Sequence, residues 1–109
     1  LLYPSRGNFI TVVGNFGQIG LVRKVKRAMR ATTLLPVHSI NAPGWLPGID
    51  FSDHLNYWRH SYPAVMITDT SFYRNENYHT AQDTLEKLDY NRLAKVVQAV
   101  HATILELSR

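Results

Sequence analysis

Residues 62–89 concentrate the side chains of this sequence that could do chemistry. The run YPAVMITDTSFYRNENYHTAQDTLEKLD passes from an apolar segment, Pro63-Ala64-Val65-Met66-Ile67, through Thr68 and Asp69 into a polar loop. That loop carries Tyr73, Arg74, Glu76, Tyr78 and His79. A short apolar run bounded by turn-formers predicts a buried strand. Ligands in open α/β sheets sit beyond the carboxyl ends of strands, so the loop is a natural place for a site. His79 is its candidate metal ligand, with the Thr80 hydroxyl and the Asp83 carboxylate near enough in sequence to fix the imidazole tautomer. One histidine does not make a metal centre. A catalytic zinc takes about three protein ligands, and paired-metal sites take more, usually with a bridging carboxylate.

The elements that must position this loop are legible from pattern. Phe9-Ile10-Thr11-Val12-Val13 is rich in β-branched residues and stops at Gly14-Asn15, which predicts a strand ending in a turn. Over residues 18–30, Val22, Val25 and Met29 recur at helical spacing, flanked by Ile19 and Ala28. Arg23, Lys24, Lys26, Arg27 and Arg30 fill the rest, so the segment is an amphipathic helix. Residues 34–40 predict a second short strand that Pro36 pushes towards a sheet edge. Pro43, Gly44, Pro47 and Gly48 around Trp45 mark an ordered loop that could wall a pocket, and for Trp45 packing against the body is favoured over recognition.

Ser52 is placed as an N-cap, with Asp53 in the first turn of a short helix through Leu55 and Trp58 to about His60. The helix dipole suffices to explain Asp53. His54, at a helix start, has both a ligand reading and a structural one, and the structural one is favoured. His38, His60 and His101 lack partners at ligand spacing and are read as structural. Beyond the loop, Asp83 and Glu86 form an Asp variant of a capping box that opens a short turn. Asp89 caps the last helix. There Leu93, Val96, Val97, Val100, Ile104 and Leu107 make an apolar stripe opposite Arg92, Lys95, Gln98 and Glu106. Strand, helix, strand, helix, strand, helix argues for a layered α/β fold.

The composition bounds the rest. The chain has 109 residues, enough for one core and too few for two, and 45% of them are hydrophobic. Without cysteine there is no disulfide framework and no thiolate metal site, so a metal would need His, Asp or Glu. No apolar run reaches the roughly 18 residues of a membrane span, and Leu1-Leu2-Tyr3-Pro4 lacks the regions of a signal peptide, so the chain reads as soluble, with no compartment indicated. The absence of an initiator methionine suggests a processed or excised piece. The net charge of +4 owes much to residues 23–30. With no Gly-rich loop or stacking aromatics beside those cations, a solvated helix face is favoured over a nucleic-acid or membrane surface.

The motifs resemble a known family. Ser52-Asp53-His54, the run from Tyr62-Pro63 to Asp69-Thr70, Phe72-Tyr73-Arg74-Asn75, Tyr78-His79-Thr80, Asp83-Thr84 and Leu88-Asp89-Tyr90 are similar to the carboxy-terminal part of the zinc aminopeptidases of metallopeptidase family 28. Relatives of that family include secreted bacterial aminopeptidases, glutamate carboxypeptidase and glutaminyl cyclase. Gly7-Asn8-Phe9-Ile10, Val13-Gly14-Asn15 and Ala42-Pro43-Gly44-Trp45 extend the resemblance over nearly the whole chain.

The resemblance implies a three-layer α/β/α fold, the carboxy-terminal portion of the mixed-sheet zinc exopeptidase (phosphorylase/hydrolase-like) fold. Residues 1–109 would be one domain that is a fragment of a larger catalytic domain. Its final strand, residues 64–68, would pair with a strand from the missing amino-terminal half. His79 corresponds to the last ligand of a paired zinc site. Tyr78 becomes a candidate for substrate or oxyanion contact, Thr80 and Asp83 would support His79 from behind, and Asp53 with His54 would line the site wall.

The sequence also departs from the family. Members carry a His-x-Asp motif, an adjacent Glu-Glu pair and a further acidic ligand, all upstream of the matched region. This chain has neither His-x-Asp nor Glu-Glu. In the intact protein the resemblance implies peptide hydrolysis by zinc-activated hydroxide, with a glutamate moving protons. The chain alone is expected to bind zinc weakly and to hydrolyse nothing. Its expected partners are a peptide substrate in the intact protein and either the missing half or further copies of itself. The other reading is a non-enzymatic module, a degenerate peptidase fold used for assembly.

Overall fold

A computed structural model describes residues 8–43, 53–69 and 76–109. The order is the one the pattern predicts: β1 (Ile10–Gly14), α1 (Ile19–Arg30), β2 (Val37–Asn41), α2 (His54–Arg59), β3 (Met66–Thr68) and α3 (Tyr90–Leu107). Short 3-10 turns at Phe16–Gln18 and Leu85–Lys87 precede α1 and α3. The sheet is mixed, in the order β2-β1-β3. β1 pairs parallel with β2 from Ile10 opposite Val37 to Gly14 opposite Asn41. It pairs antiparallel with β3, with Thr11 opposite Thr68 and Val13 opposite Met66. β2 is an edge of the described sheet, as Pro36 suggested.

Strand alternation sorts the side chains into two layers. Ile10, Val12 and Val37 join Val22, Val25 and Met29 of α1 and Ala99 of α3 in the main core, with Val65 and Ile67 packed against it. Val13 and Ala42 pack on the other face with Ile40, Met66 and Trp58 of α2. Two helices on one face and one on the other make an α/β/α layering around the mixed sheet. Each fully buried Val or Met contributes about 1.5–3 kcal/mol, and the β1-α1-β2 unit supplies most of them.

The turn after β1 requires glycine. A Cβ on Gly14 would sit 2.5 Å from Val22 Cγ2, so α1 can lie this close only over a bare Cα. Asn15 then caps the 3-10 turn by accepting the Gly17 N–H at 3.0 Å, and Asn41 Nδ2 donates to its carbonyl at 2.9 Å.

Several expectations need correction. The apolar run beginning at Pro63 becomes a strand only over Met66–Thr68, and that strand is half-buried rather than buried. The position before α2 is Asp53, which makes no side-chain capping bond, while Ser52 lies outside the described residues. The turn at Leu85–Lys87 starts after Thr84 rather than at Asp83. Asp89 does cap α3, accepting the Arg92 N–H at 3.1 Å. The apolar stripe of α3, however, is divided. Ala99 and Thr103 are its buried residues and Val96 and Val100 are partly buried, whereas Leu93, Val97, Ile104 and Leu107 are exposed. Periodicity identifies the apolar face of a helix but not how much of it finds cover. Trp45 and the surrounding loop lie outside the described residues.

Candidate active site

Three elements place the His79 loop. α2 ends in a pair of backbone hydrogen bonds, from the Tyr62 N–H to the Tyr57 carbonyl at 2.8 Å and from the Ser61 N–H to the Trp58 carbonyl at 3.1 Å. Ser61 takes φ 62°, the left-handed residue that this helix ending demands. The chain thereby turns into β3, and Trp58 pins the approach by donating Nε1–H to the Ala64 carbonyl at 2.9 Å. Because β3 is antiparallel to β1 and β2, its carboxyl end lies where those strands begin. The loop leaves from that end. Its far side runs into α3.

The loop is held by polar bonds more than by burial. Thr80 donates both its N–H and its Oγ1–H to the Asn77 carbonyl, and the Asp83 N–H donates to the Thr80 carbonyl at 3.2 Å. The Tyr90 hydroxyl donates to the Leu85 carbonyl at 2.7 Å, and the Lys87 ammonium donates to the Gln82 carbonyl. Its own backbone N–H, then the Thr84 hydroxyl, hold the Glu86 carboxyl below its usual range. The Arg92 backbone N–H, then its guanidinium, do the same for Asp89.

At the bend sits His79, with φ 57°. Left-handed backbone costs a residue with a Cβ roughly 1–2 kcal/mol, and histidine is among the side chains enriched there. Such conformations cluster at ligand clamps and active sites. The imidazole is exposed, and the Tyr78 ring stacks on it with centroids 4.0 Å apart and planes 15° from parallel. Tyr78, His79, Thr80 and Asp83 are therefore one local unit. Thr80 serves the turn through Asn77, so its hydroxyl proton is directed at the backbone.

The other sequence candidates lie on α2. Asp53 is exposed at its start, and His54 is buried in an edge-to-face contact with Trp58 at 4.5 Å. Tyr73 and Arg74 fall outside the described residues. Asn77 and Trp58 carry no functional signal in the sequence alone. The turn-forming Asn-Glu-Asn run marks only a turn at the first; nothing local distinguishes the second from a core residue.

The basic face of α1 divides as well. Lys26 Nζ donates to Ser39 Oγ at 3.0 Å, and the Arg30 guanidinium donates twice to the Val37 carbonyl, at 3.1 and 2.8 Å. Those two cations brace β2. Burial, then the nearby Arg30 charge, lowers the Lys26 pKa.

Zinc does not find a complete site in the described residues. They contain no group of three or more His, Cys, Asp or Glu side chains able to hold a metal ion, against the roughly three protein ligands a catalytic zinc takes. His79 can supply one. No helix among the described residues is long and apolar enough to cross a membrane.

Sequence comparison places these features in context. The chain is 57% identical over 99 residues to the uncharacterized protein YfbL of Escherichia coli K12, a match that covers 91% of this chain and 31% of that protein. It is 25% identical over 100 residues to leucine aminopeptidase 1 of Ajellomyces dermatitidis and to leucine aminopeptidase 1 of Blastomyces gilchristii. Each of those matches covers 91% of this chain and 25% of the relative. The chain thus spans about a third or less of the length of these relatives. No solved structure matches it significantly. The profile of Peptidase family M28 matches residues 19–104, most of the chain, including β3, the His79 turn and nearly all of α3. The chain belongs to peptidase family M28.

Proposed function

We propose that this chain is the carboxy-terminal segment of a zinc-dependent aminopeptidase-like hydrolase, to which it contributes one metal ligand, His79. The observation that carries the reading is the Tyr78-His79-Thr80 turn, a left-handed histidine exposed beyond the end of β3, in a chain of family M28. The reaction class is hydrolysis of a peptide bond next to a free amino terminus, in keeping with the name of the fungal relatives. In the intact protein His79 holds metal, Tyr78 orients its ring and meets substrate, and Asp83 and Thr80 keep the turn in shape. Asp53 and His54 belong to the wall behind.

The isolated chain is inactive on this reading, because one ligand neither closes a zinc site nor provides a proton acceptor for water. Purified chain should show no turnover of a leucine-based chromogenic substrate with added zinc. Turnover abolished by both a chelator and His79→Ala would overturn this. A second reading, a peptidase-fold module used for assembly without catalysis, is favoured by the exposed apolar side of α3. Coding sequence upstream of Leu1 separates the two: His-x-Asp followed by Glu-Glu supports the enzyme, and their absence supports the module.

A further inference from the structure

The five cations of α1 have different surroundings. Lys26 and Arg30 are taken up in bracing β2, through Ser39 and the Val37 carbonyl. Arg23 is exposed to solvent. Lys24 and Arg27 line a cleft of about 490 Å³ where the carboxy-terminal halves of α1 and α3 lie side by side. Ala28 and Ala102 line it too, and their single methyl groups leave the space between the helices open. The charges of this cleft do not balance. Glu106 and Arg109, at the end of α3, pair with each other at 3.5 Å. Lys24 and Arg27 make no hydrogen bond or ion pair among the described residues. The end of α1 does not engage them either, because the Ala31 N–H closes on the Arg27 carbonyl and the Thr32 N–H and hydroxyl close on the Met29 carbonyl. Three residues apart, Lys24 and Arg27 share one side of the helix, with roughly 5–6 Å between Cβ atoms, and like charges so placed repel. No carboxylate of the fold relieves that repulsion; an anion from outside would.

We propose that the cleft between α1 and α3 is a binding site for a small organic phosphate. A phosphate monoester carries close to two negative charges at neutral pH, which matches the two cations left over once Glu106 and Arg109 have cancelled. The Arg27 guanidinium offers paired N–H donors to phosphate oxygens, and the Lys24 ammonium adds a point charge beside them. Ala28 and Ala102 meet the apolar body of the ligand. A cleft of this size falls within the roughly 300–1,000 Å³ of small-molecule pockets, so it has room for more than the phosphate group. The site does not depend on zinc, on His79 or on peptide hydrolysis.

The test is titration of phenyl phosphate into the 109-residue chain at low ionic strength, followed by backbone amide NMR. Saturable shifts are expected at the ends of α1 and α3, with phenyl phosphate binding about 5-fold or more tighter than inorganic phosphate because its ring lies on the alanines. Lys24→Gln with Arg27→Gln should weaken binding about 10-fold or more. Glu106→Gln removes the one carboxylate of the cleft and releases Arg109, so it should tighten binding roughly 2- to 5-fold. That gain is a change a misfolded variant would not show. Arg23→Gln, exposed on α1 but outside the cleft, should leave binding unchanged, and added salt should weaken it. Absence of saturable binding by the wild type overturns the proposal. So does a loss with Arg23→Gln equal to that of the double substitution, which would mean a diffuse basic surface. Benzoate bound as tightly as phenyl phosphate would also overturn the assignment to phosphate.

Discussion

The two halves of this molecule differ in how far each completes itself. In β1-α1-β2 the apolar faces meet: Val12, Val22, Val25, Met29 and Val37 are each at most 2% exposed. Across β3, the His79 loop and α3, the same kinds of side chain are half-covered or bare, and residues 79–95 are all exposed. The first half is stabilised by burial and the second by turns, caps and backbone bonds. A fold that invests its hydrophobic effect in one half leaves the other free to serve as a surface. His79 lies in the second half.

Truncation to alanine should expose that difference most strongly. Met29→Ala is expected to cost about 2–5 kcal/mol in urea denaturation, whereas Val97→Ala should change stability by no more than about 0.5 kcal/mol. Equal losses at the two positions would mean that α3 is covered after all. Gly14→Ala should cost about 1–3 kcal/mol, because the new methyl meets Val22 2.5 Å away and one of the two must shift. A smaller change, of opposite sign, is expected at Ser61. Ser61→Gly relieves its left-handed strain and should stabilise by roughly 1 kcal/mol, read as a rise in Tm.

The pH dependence is the smallest effect and belongs to the closed half. Burial, then the Lys26 and Arg30 charges, push the His38 pKa below its ordinary 6.5. Below that pH the unfolded chain takes up a proton that the folded chain resists, so stability falls as pH drops through 6.5 and levels off under the folded pKa. Denaturation midpoints between about pH 7.5 and about pH 5.5 should fall less steeply in His38→Gln than in the wild type. Parallel curves would contradict this assignment.

Much of the closed half is legible in the sequence, because β-branched runs and helical spacing report local geometry. Phe9 to Val13, the Val22-Val25-Met29 face and Pro36 at an edge all correspond to what is observed. The direction of β3 is not legible, since strand polarity depends on the path of the chain and not on side-chain type. The α3 stripe shows the complementary failure. Leu93 and Val97 have the spacing of core residues, and no local pattern says that they stay exposed. For the site, composition offered a loop histidine and nothing sharper. Only the run of motifs around Tyr78-His79-Thr80 singled it out, and the left-handed backbone beneath it follows from the Asn77 turn, which side-chain chemistry does not announce.

This chain is proposed to carry one wall of a metal site. Titration of zinc into the purified chain, wild type beside His79→Ala, tests it most directly. Weak binding is expected in both, with His79→Ala changing little because one imidazole cannot close a site. Tight stoichiometric binding by the wild type that His79→Ala abolishes would contradict it.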